Sequence, residues 1–136
     1  MATKFSVDPV IDKNSVYFTT LSLSVVYLKN DKANPWFILV PKKVQAEEIM
    51  DLTYEEQSVL MEELTVVSEF LKNRFAPFKL NIGSLGNIVR QLHLHVIARY
   101  EADRAWPGPI WGTPTTLEFN PEEIEDLREA FISFVN

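Results

Sequence analysis

The chain has 136 residues, 46% of them hydrophobic, with nine Phe, four Tyr and three Trp, enough for one globular domain spanning residues 1–136 with a real core. Its net charge of −6 argues against a sequence-independent DNA or RNA binder, which needs a basic stripe to neutralise phosphates, but not against a small nucleotide held in a donor-rich pocket. With no Cys there is no disulfide framework, thiolate metal site or Cys nucleophile.

In chain order, Leu21 to Leu28 begins with clean apolar/polar alternation and has β-branched residues at its centre, which predicts a strand. Lys29 to Pro35 is a turn by composition, and Trp36 to Val40 is a short apolar strand ended by Pro41. Together they predict an antiparallel hairpin. A helix start follows at Thr53, whose hydroxyl can cap free amides while Glu56 completes a capping box. Leu60, Leu64, Val67 and Leu71 then recur at helical spacing, so a long amphipathic helix runs to about Arg74 before Pro77. Lys79 to Ile82 predicts another short strand, followed by a Gly83-Ser84-Leu85-Gly86-Asn87 turn. After Tyr100 comes an aromatic loop, Trp106 to Gly112. A C-terminal helix follows, with Asn120 as cap, Pro121 first, and Ile124, Leu127, Phe131 and Phe134 on one face. The sum is an α+β domain: an antiparallel sheet with one long helix and one C-terminal helix.

Both histidines of the chain lie in Arg90-Gln91-Leu92-His93-Leu94-His95-Val96-Ile97. Alternation puts Gln91, His93 and His95 on one strand face and Leu92, Leu94 and Val96 on the other, in the core. Two imidazoles about 6–7 Å apart along a strand face can grip a phosphate or a metal ion. A surface strand with two tolerated histidines is the plainest alternative. A metal site has only two histidines to use, with Glu101 as a further carboxylate, where such sites usually want three. Phosphoryl chemistry accounts for more residues. Glycines in the turn let backbone amides approach an anion, and the turn feeds directly into the histidines. A neutral imidazole can attack phosphorus while a second donates to the phosphoryl oxygens.

Residues 81–99 and the Trp36-to-Lys43 stretch, an apolar strand ending in Pro-Lys, resemble the histidine triad (HIT) hydrolases and transferases. Their signature is His-φ-His-φ-His-φ-φ, with φ apolar, after a glycine-bearing turn. The resemblance covers about residues 20–100 and implies a HIT-like fold and a homodimer whose sheet continues across the interface. It also implies nucleotidyl transfer in two displacements with no metal and no cofactor in the chemical step. The substrates would be adenosine phosphoramidates or dinucleoside polyphosphates, with a nucleotide-binding protein of little or no catalytic activity as the alternative. Carried over, His93 is the nucleophile and His95 a donor to the phosphate, while the Gln91 carbonyl orients the other ring nitrogen of His93. Gln91 stands where the first triad histidine would be, and Trp36 occupies the position of a histidine that its side chain normally faces.

The turn is about one residue shorter than the family pattern, leaving Asn87, Gly86 and Ser84 as the phosphate contacts, with Arg99 placed on the histidine face by alternation. Asn30 or Asp31 would take the ribose hydroxyls. The Trp106 loop has aromatics that can stack on a base or lie against a partner subunit. The N-terminal nine residues lack the apolar core of a signal peptide, and no segment approaches a membrane span, so a cytoplasmic protein with no membrane partner is expected.

Overall fold

The computed structural model describes residues 4–136; Met1, Ala2 and Thr3, part of the N-terminal stretch read above, lie outside it. Five strands form one antiparallel sheet: β1 (Val16–Thr20), β2 (Ser24–Lys29), β3 (Trp36–Pro41), β4 (Lys79–Gly83) and β5 (Leu94–Arg99), in the spatial order β1-β2-β3-β5-β4. A short helix α1 (Pro9–Asn14) precedes the sheet, α2 (Tyr54–Phe75) connects β3 to β4, and α3 (Pro121–Val135) ends the chain. Among the described residues no helix is long and apolar enough to cross a membrane.

The β2–β3 hairpin forms as the alternation predicts, pairing Lys29 with Trp36 and Ser24 with Pro41. The β2 strand starts three residues later than its pattern suggests. The buried carboxylate of Glu63 accepts from the Leu23 and Ser24 amides at 2.7 and 3.0 Å, drawing Leu21–Leu23 into a turn. Glu63 reaches there from α2, whose start is fixed by the expected capping box: Thr53 Oγ1 accepts from the Glu56 amide and Glu56 returns the bond to the Thr53 amide. Asn120 caps α3 in the same reciprocal way.

Two strands' worth of detail escaped the periodicity. β1 is interrupted by an irregularity between Tyr17 and Thr19, so its period-2 pattern breaks within five residues. The histidine tract, expected to be regular from Arg90, enters the ladder only at Leu94. Before that, the Leu92 amide donates to the Ala46 carbonyl and Ser84 Oγ donates to the His93 carbonyl, so these groups are satisfied outside the sheet.

The sheet has two unlike faces. On one, Phe18, Val26, Leu28, Phe37, Leu39, Leu94 and Val96 meet Leu64, Val67 and Leu71 of α2 and Leu127 and Phe131 of α3. Burying such a side chain stabilises by roughly 1.5–3 kcal/mol. Phe134, expected among them, stays at the margin and touches Phe70 edge-on. On the other face, Tyr27, Trp36, Ile38, Val40 and Ile97 are covered by no long helix. Phe5, Val7 and Ile11 of the N-terminal segment and Ala105, Ile110 and Trp111 of the loop after β5 close over them.

Candidate active site

The histidines belong to this second face. Leu94 and Val96 point into the helix-backed core, and His95 points with Ile97 toward the loop-covered side. His93, just outside the ladder, brings its ring to 5.1 Å from that of His95, edge to face. Each residue is 8% exposed, which leaves the pair a narrow window to solvent.

Each ring is held through Nδ1. That of His93 lies 2.7 Å from the Gln91 carbonyl oxygen. That of His95 accepts from the indole Nε1 of Trp36 at 2.8 Å. Trp36 is fully buried, lies opposite Ile97 in the β3–β5 ladder, and meets Trp111 edge-on at 6.1 Å. Trp111 also stands 5.5 Å from the His95 ring. Its approach depends on Gly83, where a Cβ would lie 3.1 Å from the Trp111 Cη2 atom. Above Trp36, the Lys29 ammonium sits 4.0 Å from the ring centroid.

Burial, then the proximity of His93 and of Lys29, pushes the His95 imidazole down to about 3. His95 is therefore neutral at physiological pH. Burial also lowers Lys29 from its ordinary value, with Asp31 opposing and Arg104 reinforcing the shift.

The turn before His93 carries unused donors. Gly86 adopts a left-handed φ of 67°, which a side chain would strain. Among the described residues, no amide from Gly86 to Gln91 donates to another protein group. Asn87 is exposed at this turn, while the Ser84 hydroxyl is committed to the His93 carbonyl. A cavity of about 360 Å³ adjoins Ser84 and Gly86, bounded on its far side by Glu47 and Glu48.

The other predicted contacts are drawn elsewhere. Arg99 is on the histidine face but 1% exposed, and its guanidinium is consumed by Asp103, Asn81 and the Gly108 carbonyl. A buried guanidinium so engaged holds the loop together, which corrects its placement as a phosphate contact. Burial alone would raise the Asp103 carboxyl, but hydrogen bonds from Arg99, the Tyr100 and Ala105 amides and Asn34 hold it well below the carboxylate range. Asn30 is likewise removed from a ribose role, since its amide bonds both backbone groups of Phe119 at 3.1 and 2.7 Å. Asp31 is fully buried and accepts from Arg104 and from the Asn34 amide. Trp106 packs edge-on against Phe78 at 5.4 Å, and the structure records no contact between it and either histidine. The aromatic that the loop delivers to the site is Trp111, five residues on.

The Gln91 side chain is a further correction. It does not face Trp36. Its Oε1 accepts from the Asp8 amide at 2.7 Å and its Nε2 donates to the Ser6 carbonyl at 2.8 Å, fastening the N-terminal segment. Glu101, the carboxylate considered for a metal set, is exposed in a turn. Among the described residues no group of three His, Asp or Glu is close enough to hold a metal ion.

Residues 8–102 match the model of the HIT domain. A histidine triad (HIT) protein from Sinorhizobium meliloti 1021 is similar in structure, with 40% sequence identity, a TM-score of 0.89 and 95% of this chain and 96% of that one covered. A histidine triad protein from Bradyrhizobium japonicum shares 36% identity over 98% of this chain and 100% of its own, with a TM-score of 0.91. A more distant structure, a hypothetical histidine triad nucleotide-binding protein from Sulfolobus tokodaii strain7, has 16% identity, a TM-score of 0.63, and 89% and 83% coverage, which speaks to the fold alone. No curated protein matches the chain.

Proposed function

The chain belongs to the HIT domain family, and from that premise we propose that it is a nucleotidyl hydrolase or transferase with His93 as its nucleophile. One observation carries this reading, the 2.7 Å contact between His93 Nδ1 and the Gln91 carbonyl. A carbonyl only accepts, so Nδ1 bears the proton and the lone pair lies on Nε2. That nitrogen attacks the α-phosphorus of a nucleotide as the bond to the leaving group breaks with its electron pair. Water then displaces the nucleotidyl group from Nε2 and regenerates the imidazole. The Gln91 carbonyl stabilises the positive ring of the intermediate and needs no particular side chain to do so.

His95 donates to a phosphoryl oxygen. The free amides around Gly86 and Asn87 suit further oxygens of the same phosphate, as an anion-binding turn. Trp111, rather than Trp106, is placed to line the apolar part of the ligand site, and Asn30, Asp31 and Arg99 hold the surrounding loops. The substrates are adenosine phosphoramidates or dinucleoside polyphosphates. Assembly as a homodimer is supported by the free edge of β4, where Ile82 is 52% exposed.

Incubation with an adenosine phosphoramidate or a diadenosine polyphosphate, followed by mass spectrometry, tests the reading. A nucleotidyl adduct on His93 is expected, and His93→Asn should lose at least about a thousandfold in turnover while keeping its fold. Full turnover in that variant overturns the mechanism. Tight nucleotide binding by the wild type without product favours a binding protein instead.

A further inference from the structure

We propose that Trp36 is a positioning residue that locks His95 in the tautomer carrying its proton on Nε2, so that His95 always presents a donor to the phosphate. The argument begins with the indole. Its Nε1 can donate and never accept. At 2.8 Å it donates to His95 Nδ1, which must therefore supply a lone pair. In a neutral imidazole the proton then lies on Nε2.

Protonation of Nδ1 would set two N–H groups against each other in a buried place, since Trp36 is fully covered and His95 nearly so. The other elements around the ring give that charge no help. From β2 comes Lys29, and from the strand's own lead-in comes His93; both disfavour a second positive charge. β4 contributes Gly83, opposite His95 in the ladder, and the loop contributes Trp111. Neither is titratable. A histidine at position 36 would either donate or accept and so leave the tautomer of His95 undecided. The tryptophan decides it.

The role given to His95 rests on the nucleotidyl-transfer reading, but the tautomer does not. A ring held neutral with its proton on Nε2 stabilises charge on a phosphoryl oxygen rather than delivering a proton to the leaving group. If Trp36 is lost, part of the His95 population can carry its proton on Nδ1 and aim a lone pair at the phosphate.

Two measurements test the lock separately. The first is ¹⁵N NMR of the histidine rings in the wild-type protein between pH 8 and pH 5. His95 should show an unprotonated Nδ1 and a protonated Nε2, unchanged across that range. A proton on Nδ1, or a ring that titrates near neutrality, overturns the proposal without recourse to any variant. The second compares rates of Trp36→Phe and wild type. The variant should be slower by about tenfold or more at pH 8. Its His95 ring should also show Nδ1 protonated in part of the population, a ¹⁵N signature that lost packing alone does not produce. A slower variant whose His95 Nδ1 stays wholly unprotonated reduces Trp36 to packing and overturns its positioning role. If the wild type turns over no nucleotide, the nucleotidyl-transfer reading fails while the NMR experiment still decides the tautomer.

Discussion

The two faces of the sheet are built from the same strands by different means. The helix-backed face is closed by long amphipathic helices whose positions follow from capping boxes and apolar spacing. The histidine face is closed by an N-terminal segment and a loop, held by side chains bonded to backbone or to each other, some of them across more than 70 residues. Stability thus comes cheaply to the first face, while the second relies on a few satisfied polar groups. The buried ones among them, Asp31 and Arg99, are costly to remove. The division places irregular chain over the chemistry and long helices behind it.

Substitutions on the two faces should therefore separate stability from activity. Arg99→Met leaves Asp103 buried without its cation and should cost about 4 kcal/mol in denaturant unfolding. It should also lower kcat, because the loop bearing Trp111 loses its anchor. Leu71→Ala opens a cavity on the helix side and should cost about 3 kcal/mol, with kcat per folded molecule unchanged. If both variants lose activity in proportion to stability, the two faces are not functionally distinct.

Acid sharpens the same contrast. The unfolded His95 takes up a proton below 6.5, whereas the folded ring resists protonation until about 3. Between those values the unfolded state binds more protons, so stability falls as pH falls, by at most about 1.4 kcal/mol per pH unit from this group. His95→Gln should flatten that part of the stability profile, as measured by urea midpoints from pH 7 to pH 4. The smallest effect is expected from Gln91→Ala. Losing two hydrogen bonds to Ser6 and Asp8 should cost about 1–2 kcal/mol and, above all, speed hydrogen exchange at the Asp8 amide.

Legibility in the sequence followed this same division. Thr53 with Glu56, and Asn120 with Pro121, announce helix starts because capping is chemistry between residues three apart. The β2–β3 hairpin and the shared side of His93 and His95 were readable from period-2 alternation. β1 was not, since its irregularity breaks the alternation and α1 is only six residues long. Alternation placed Arg99 on the correct face, but Asp103, four residues on, determined what its guanidinium does there. Asn30 reads equally as a ribose contact or a turn residue, and its partner Phe119 lies 89 positions away. Trp106 and Trp111 share a loop without regular period, so nothing local distinguishes the one that meets His95.

The Gln91 side chain also orders events in time. Ser6 and Asp8 emerge from the ribosome 85 and 83 residues before the side chain that fastens them. At about 5–20 residues per second, that delay is on the order of ten seconds. Through it, the N-terminal segment has no anchor at that point, and Trp111 emerges later still. The wall around the histidines thus closes only after β5 and the loop behind it are made, by joining an early segment to a late one.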